Sequence, residues 1–320
     1  MARYLITGMA GFIGSTLARA LLSQGHSVRG IDNLSTGRME NLTEILSDVE
    51  FEVADLQDDA AMRSACEGVD FVLHQAALAS VPRSVKDPLS SHASNVNGTL
   101  TLLLAARDAG VKRIVYAASS SAYGDQEGQS KHEEMTPRPS SPYAVQKLAC
   151  EHYLQAFCKV YGMEAVCLRY FNIFGPRQAA DSPYSGVIAQ FIFKMLAGET
   201  PTINGDGLVS RDFTYVDNAV QANLLACTAP GEFANGRVFN VGTGRTQTLN
   251  DLYSGLAEIL HFSEAAKYGP TRPGDIMHSQ ADISRAQREL GYNPAVSFHA
   301  GLEKTAAWYV TEMKGQLVSA

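Results

Sequence analysis

Tyr143 and Lys147 stand four residues apart, directly after Ser141 and Pro142, residues that commonly open a helix. Two residues so spaced on a helix project from one face. An ammonium beside a phenol favours the phenolate and draws its pKa down from about 10 towards neutrality. Tyr143 is thereby usable as a general base at physiological pH. Upstream lies a hydroxyl-rich run, Ser119, Ser120 and Ser121, followed by Tyr123 and Gly124.

A second grouping sits at the start of the chain. Gly8, Gly11 and Gly14 recur every three residues after the apolar stretch 3–7, and a helical pattern follows from Phe12 to about Gln24. Gly8 permits a sharp turn off a strand, Gly11 lets backbone approach a pyrophosphate, and Gly14 lets the helix pack closely on the sheet. The helix N-terminus then turns N–H groups and a positive dipole end on phosphates. The strand at 26–32 ends in Asp32, 18 residues beyond Gly14, close to the roughly 20 expected of the acid that accepts hydrogen bonds from an adenosine ribose. A carboxylate there repels a 2′-phosphate, so the expected cofactor is NAD rather than NADP. Its nicotinamide cation would acidify Tyr143 further.

The elements that must position these groups alternate. Strands are predicted at 3–7, 26–32, 49–55, 70–77 and 113–119, with helices between them, including a long one over 88–110. Near-continuous apolar strands alternating with helices predict an α/β fold, a doubly wound parallel (Rossmann) sheet. Ligands gather outside the carboxyl ends of such strands, where Asp55, Leu56, Gln75, Ala76 and Ala77 fall. Residues 1–168 are expected to form the dinucleotide-binding domain, with a segment near 212–242 returning to it. Residues 169–320 are expected to form mainly a smaller C-terminal α/β substrate domain.

Composition narrows the function. The chain has 320 residues, 45% hydrophobic and 18% charged, enough to bury a large core. It holds no apolar run of about 18 residues and opens on a strand rather than a basic and apolar leader, so no membrane partner and a cytoplasmic location are expected. The net charge of −7 argues against a nucleic-acid partner. The five cysteines are scattered and read as buried thiols, and the eight histidines show no paired ligand spacing, so no metal is expected.

The ordered motifs resemble the extended short-chain dehydrogenase/reductase family, among its NAD-dependent nucleotide-sugar epimerases. The likeness runs through the glycine turn, residues 74–77, Asn95 to Thr99, the serine run with Tyr123 and Gly124, the Tyr143 and Lys147 pair, residues 168–176, Ser210 with Arg211, and Arg272 to Asp275. It implies that NAD rests on Gly8, Gly11, Phe12, Ile13, Gly14, Asp32, Asn33, Asp55, Leu56, Gln75, Ala76, Ala77 and Asn97, with Tyr143 and Lys147 at the nicotinamide end. It implies that Tyr143 is the base, that Lys147 also holds the nicotinamide ribose, and that Ser119 binds the reacting 4-hydroxyl, with Ser120 the alternative. The UDP-sugar would meet Asn172 and Gln178, with Arg211 and Arg272 at the diphosphate and Asp275 at the uridine ribose. Planar guanidiniums suit such phosphates.

Two small residues set the expected preference. Ala79 stands where relatives restricted to UDP-glucose and UDP-galactose carry a lysine, and Ser279 where they carry a bulky aromatic. The resemblance therefore implies interconversion of UDP-N-acetylglucosamine (UDP-GlcNAc) and UDP-N-acetylgalactosamine (UDP-GalNAc), with the plain hexoses slower. The enzymatic alternative is a UDP-glucuronate 4-epimerase or decarboxylase, for which Arg83 is the nearest cationic residue. The alternative of another class is a non-catalytic NAD-binding sensor. Apolar faces on the helices near 95–109 and 143–161, the pair that packs against its twin in this family, imply a homodimer.

Overall fold

Seven strands share one parallel sheet in the computed structural model, which describes residues 1–126, 130–180, 186–271 and 277–319, with side chains as far as Met313. They are β1 (Arg3–Thr7), β2 (Ser27–Asp32), β3 (Glu50–Val53), β4 (Phe71–His74), β5 (Arg113–Ser119) and two later strands, Glu164–Tyr170 and Arg237–Val241. Across the sheet the order is Arg237–Val241, Glu164–Tyr170, β5, β4, β1, β2, β3, and each neighbouring pair is parallel. Chain direction along the sheet reverses between β1 and β4. A crevice therefore opens there, beyond the strands' carboxyl ends.

Alternation along the strands explains why both faces are covered. Leu5 of β1 and Ile114 of β5 pack with Leu102, Leu103 and Leu154 on one face, while Ile6 and Val115, their chain neighbours, pack with Leu17, Leu21 and Ala222 on the other. Each fully buried aliphatic side chain contributes about 1.5–3 kcal/mol. The fold expected from the strand–helix alternation is thus present, with the second layer supplied by α1 (Phe12–Ser23) and the later helix Val216–Thr228.

One element differs from expectation. The long helix is three pieces, Pro88–His92, a π-helical turn Ala93–Asn97 and Gly98–Asp108. Within the wide turn Asn95 is buried: its amide nitrogen donates to Gln146 Oε1 (2.8 Å) and its oxygen accepts from the Leu78 backbone N–H (2.7 Å). These bonds tie the loop after β4 to the helix Pro142–Tyr161.

The second half builds a third core around Phe174, Ile192, Leu252 and Leu302, beside a four-stranded sheet. That sheet runs Gln247–Thr248, Ser210–Arg211, His278–Ala281, Ser130–Lys131 in spatial order, so one strand comes from the first half of the chain. Among the described residues no helix is long and apolar enough to cross a membrane.

Candidate active site

Gly8, Gly11, Phe12, Ile13 and Gly14 from the first turn line the switch-point crevice with Asp32, Asn33, Asp55, Leu56, Gln75, Ala76 and Ala77. The glycines there are held by close approach. Gly8 has φ +70°, and a Cβ on it would stand 2.8 Å from the Ala76 backbone; a Cβ on Gly14 would stand 2.1 Å from the Gly8 carbonyl oxygen. No side chain caps α1 at Gly11, so its first-turn N–H groups remain donors for an anion. Asp32 accepts from the backbone N–H groups of Ala10 (3.0 Å) and Leu34 (2.9 Å). Burial nevertheless pushes its pKa up, against those hydrogen bonds.

The floor of this crevice is set by a buried histidine. Thr99 donates its hydroxyl proton to the Asn95 carbonyl (2.6 Å), so its oxygen accepts from His74 Nε2 (2.9 Å). His74 Nδ1 must then accept from Thr7 Oγ1 (2.7 Å), whose oxygen in turn accepts from the Ala76 N–H (3.3 Å). Burial first, and the Lys147 charge second, drive the His74 pKa down to about 3. A neutral ring of fixed tautomer thus joins β1, β4 and the helix Gly98–Asp108 and holds Ala76 at the crevice edge.

A second cleft of about 450 Å³ continues from the first, sharing Ile13, Gln75, Ala77 and Ala79 with it. Tyr143, Lys147, Ser119, Ser120, Asn172, Arg211, Ser279 and Ala79 all line it. The helix Pro142–Tyr161 brings the first two: Ser141 caps it by accepting from the Ala144 N–H (3.2 Å), and the Tyr143 N–H donates to Ser84 Oγ (3.0 Å). At the end of β5, Ser119 Oγ accepts from both the backbone N–H (3.2 Å) and the hydroxyl (2.8 Å) of Ser121. Its own proton remains to be given across the cleft.

The electrostatics depart from the sequence expectation. The Lys147 ammonium donates to the Ala117 carbonyl (2.7 Å), lies 4.7 Å from the Tyr116 ring centroid and stays 6.0 Å from that of Tyr143. Burial lowers the lysine's pKa to about 8, against the nearby Cys150, Glu151 and Cys167 charges. Burial also raises the phenol of Tyr143 to about 12, with the Ser119 hydroxyl acting the other way. Burial thus outweighs the acidifying contact at Tyr143, and the ammonium is hydrogen-bonded to a carbonyl rather than to the phenol oxygen.

The comparisons fit this geometry. The model of the NAD dependent epimerase/dehydratase family matches residues 4–242. The chain belongs to that family. A UDP-glucose 4-epimerase of Mycolicibacterium smegmatis is 39% identical over 311 residues, 96% of this chain and 98% of that one. A UDP-N-acetylglucosamine 4-epimerase from Methanobrevibacter ruminantium, solved with UDP-N-acetylmuramic acid, superposes with TM-score 0.93 at 40% identity, covering 98% of this chain and 99% of that one. The UDP-glucose 4-epimerase of Thermus thermophilus, solved with NAD, superposes with TM-score 0.86 at 36% identity, covering 96% and 99%.

As in other NAD dependent epimerase/dehydratase proteins, the cofactor is NAD, and this crevice fits it: an uncapped helix N-terminus for the pyrophosphate and a carboxylate, Asp32, on the next strand. Asn97 is not brought in. The π-turn buries Asn95 and leaves Asn97 exposed, outside both clefts, while Ser94 lines the crevice instead. Gln178 lines an adjoining cleft with the exposed Arg83, not the one holding Tyr143. Arg272 and Asp275 lie outside the described residues. The sequence reading missed Lys131, a buried residue of the Tyr143 cleft. It also missed a closed ring in which Tyr170 donates to Gln75 (3.1 Å), Gln75 to Asn223 (3.1 Å) and Asn223 to Tyr170 (2.7 Å). Burial of polar residues from distant segments carries no local signature.

Proposed function

We propose that this protein is a UDP-sugar 4-epimerase whose preferred pair is UDP-GlcNAc and UDP-GalNAc. The observation that carries the preference is that Ala79 and Ser279, both small, line the same cleft as Tyr143 and Ser119. The activity of the Methanobrevibacter ruminantium neighbour on UDP-GlcNAc supports it.

Each residue has a task in the reaction. Tyr143 phenolate removes the proton from the sugar O4. Ser119, with its own proton free, orients O4 and relays. NAD, which Gly8, Gly11, Gly14 and Asp32 would hold in the crevice, would supply the hydride acceptor and donor for C4. Lys147 holds the nicotinamide ribose and favours the phenolate. Arg211 and Asn172 keep the diphosphate anchored while the 4-keto sugar turns over, with Arg272 on the same diphosphate and Asp275 on the uridine ribose. No net oxidation occurs, so NAD is a bound cofactor rather than a co-substrate. Residues 1–168 with the segment near 212–242 form the cofactor part, and the remainder of 169–320 mainly forms the part that holds the UDP-sugar.

Ser279→Tyr tests the preference. A phenol ring placed against the cleft wall adds a steric penalty of about 1–3 kcal/mol, which should lower kcat/KM for UDP-GlcNAc by roughly 5- to 150-fold while sparing UDP-galactose. Equal loss on both sugars, or none on either, would remove Ser279 as the gate.

The protein is proposed to act as a C₂ homodimer. Val145 and Tyr153 of the helix Pro142–Tyr161 are exposed at 52% and 39%, and Leu100 and Leu104 on the neighbouring helix are half-buried. Pairing buries them. Light scattering at micromolar concentration should give twice the chain's 34.5 kDa, and a monomer mass would refute the assembly.

A further inference from the structure

Tyr116 is 1% exposed, and among the described residues its hydroxyl bonds no nitrogen or oxygen. The Cys150 thiol, a weak partner, is the polar group beside it. A buried tyrosine ordinarily anchors itself by its hydroxyl. Here the surroundings use the ring instead. The Lys147 ammonium lies 4.7 Å from its centroid, inside the roughly 6 Å over which a ring face attracts a cation.

Lys147 has little else to hold its charge. It is buried, donates to the Ala117 carbonyl (2.7 Å), and among the described residues makes no ion pair. On its own helix, Glu151 is committed to Arg169 of the strand Glu164–Tyr170 by two hydrogen bonds (2.9 and 2.7 Å). Burial pushes up the thiols of Cys150 and of Cys167 on that strand, and the phenol of Tyr143, so all three stay neutral. From β4, His74 is held neutral as well, and Tyr123 gives its proton to Asn240 (2.7 Å). Arg83, Lys86 and His92, on the two short helices packed against this one, are exposed. A carboxylate in place of the ring would hold the ammonium more strongly, but its charge would oppose ionisation of Tyr143. A ring face stabilises the cation and adds no net charge.

We propose that Tyr116 is a positioning residue of this reaction: its ring face keeps the Lys147 ammonium protonated and in place. Tyr116 and Ala117 are consecutive on β5, and Tyr116 is paired with His74 on one side and Cys167 on the other. Ring and carbonyl are therefore fixed together by the centre of the sheet. The inference rests on the reading of Lys147 as the group that holds the nicotinamide ribose and favours the phenolate. Removing the ring removes a stabiliser of the charged form, so Lys147 should lose its proton at lower pH, by roughly 0.4–1.5 pH units.

The test is the pH dependence of kcat/KM for UDP-GlcNAc in the NAD-loaded wild-type protein, Tyr116→Phe and Tyr116→Leu. The alkaline limb should stay in place in Tyr116→Phe, which keeps the ring, and move down by that interval in Tyr116→Leu. A residue that only fills the core would change the rate at every pH and leave the limb where it was. Should Tyr116→Leu fail to fold, trifluorophenylalanine at position 116 keeps the shape and weakens the ring face, and the limb should again move down relative to Tyr116→Phe. A second readout needs no turnover: NMR titration of protein labelled with carbon-13 at lysine Cε, the Lys147 signal being the one lost in Lys147→Met. That signal should titrate at lower pH when the ring is removed or fluorinated. A signal that titrates alike with and without the ring face would overturn the proposal. A signal that moves while the limb stays would support Tyr116 and refute Lys147 as the support of the phenolate.

Discussion

Tyr143→Phe should lower turnover by about 10³-fold or more while NAD and UDP-sugar binding stay close to wild type. The substitution deletes one hydroxyl and keeps the ring, and what fixes the residue in place is backbone: its N–H donates to Ser84 Oγ, and the helix is capped by Ser141. A positioned general base contributes typically 10²–10⁴ in rate, and no other group lining the cleft beside Ser119 is suited to replace it. Steady-state kinetics would give the loss in kcat, and calorimetric titration with UDP-GlcNAc would show retained affinity. Near wild-type activity would mean that Tyr143 is not the base. The base must also be acidified on loading. With burial holding the phenol at about 12, the positive charge that draws it down has to arrive with the cofactor and act together with Lys147.

Lys147→Met should be nearly as damaging to activity and harmless to the fold. Lys147 is 3% exposed and burial holds its pKa at about 8. Its folded pKa lies below the unfolded value, so the protein binds fewer protons than the unfolded chain between about pH 8 and 10.5. The burial penalty is therefore fully present below pH 8 and is relieved as pH rises through that window. It amounts to something on the order of 3 kcal/mol. Removing the charge while keeping an unbranched chain should leave thermal stability at neutral pH equal or higher, even though the Ala117 carbonyl loses its donor. Activity behaves oppositely. The wild-type rate should fall above about pH 8 as the ammonium loses its proton, and Lys147→Met should lack that alkaline limb. A variant that unfolds, or one that keeps the limb, would show that Lys147 does not support the phenolate.

The sequence made some of this legible because some of it is local. The glycine turn, the apolar strands and the Asp32 terminus lie within one strand–helix–strand unit, and the doubly wound sheet follows from that pattern repeated. The family was legible for the same reason. What escaped depends on partners far along the chain. The expected acidification of Tyr143 assumed that two side chains on one helix face meet, but the Ala117 carbonyl and the Tyr116 ring of β5 claim the ammonium. The resemblance points to Asn97 for the cofactor, whereas the π-turn makes Asn95 the inward residue. Nothing local in the sequence marks Lys131 as buried. Only the pairing of 130–131 with 280–281 buries it beside Ser279.

The most direct test of the central claim is product analysis of purified protein given UDP-GlcNAc without added NAD. The account predicts that UDP-GalNAc forms until the two sugars reach a constant ratio, that no NADH accumulates, and that UDP-glucose is converted to UDP-galactose more slowly under the same conditions. NADH accumulating in proportion to the sugar converted, or a product not inverted at C4, would contradict it.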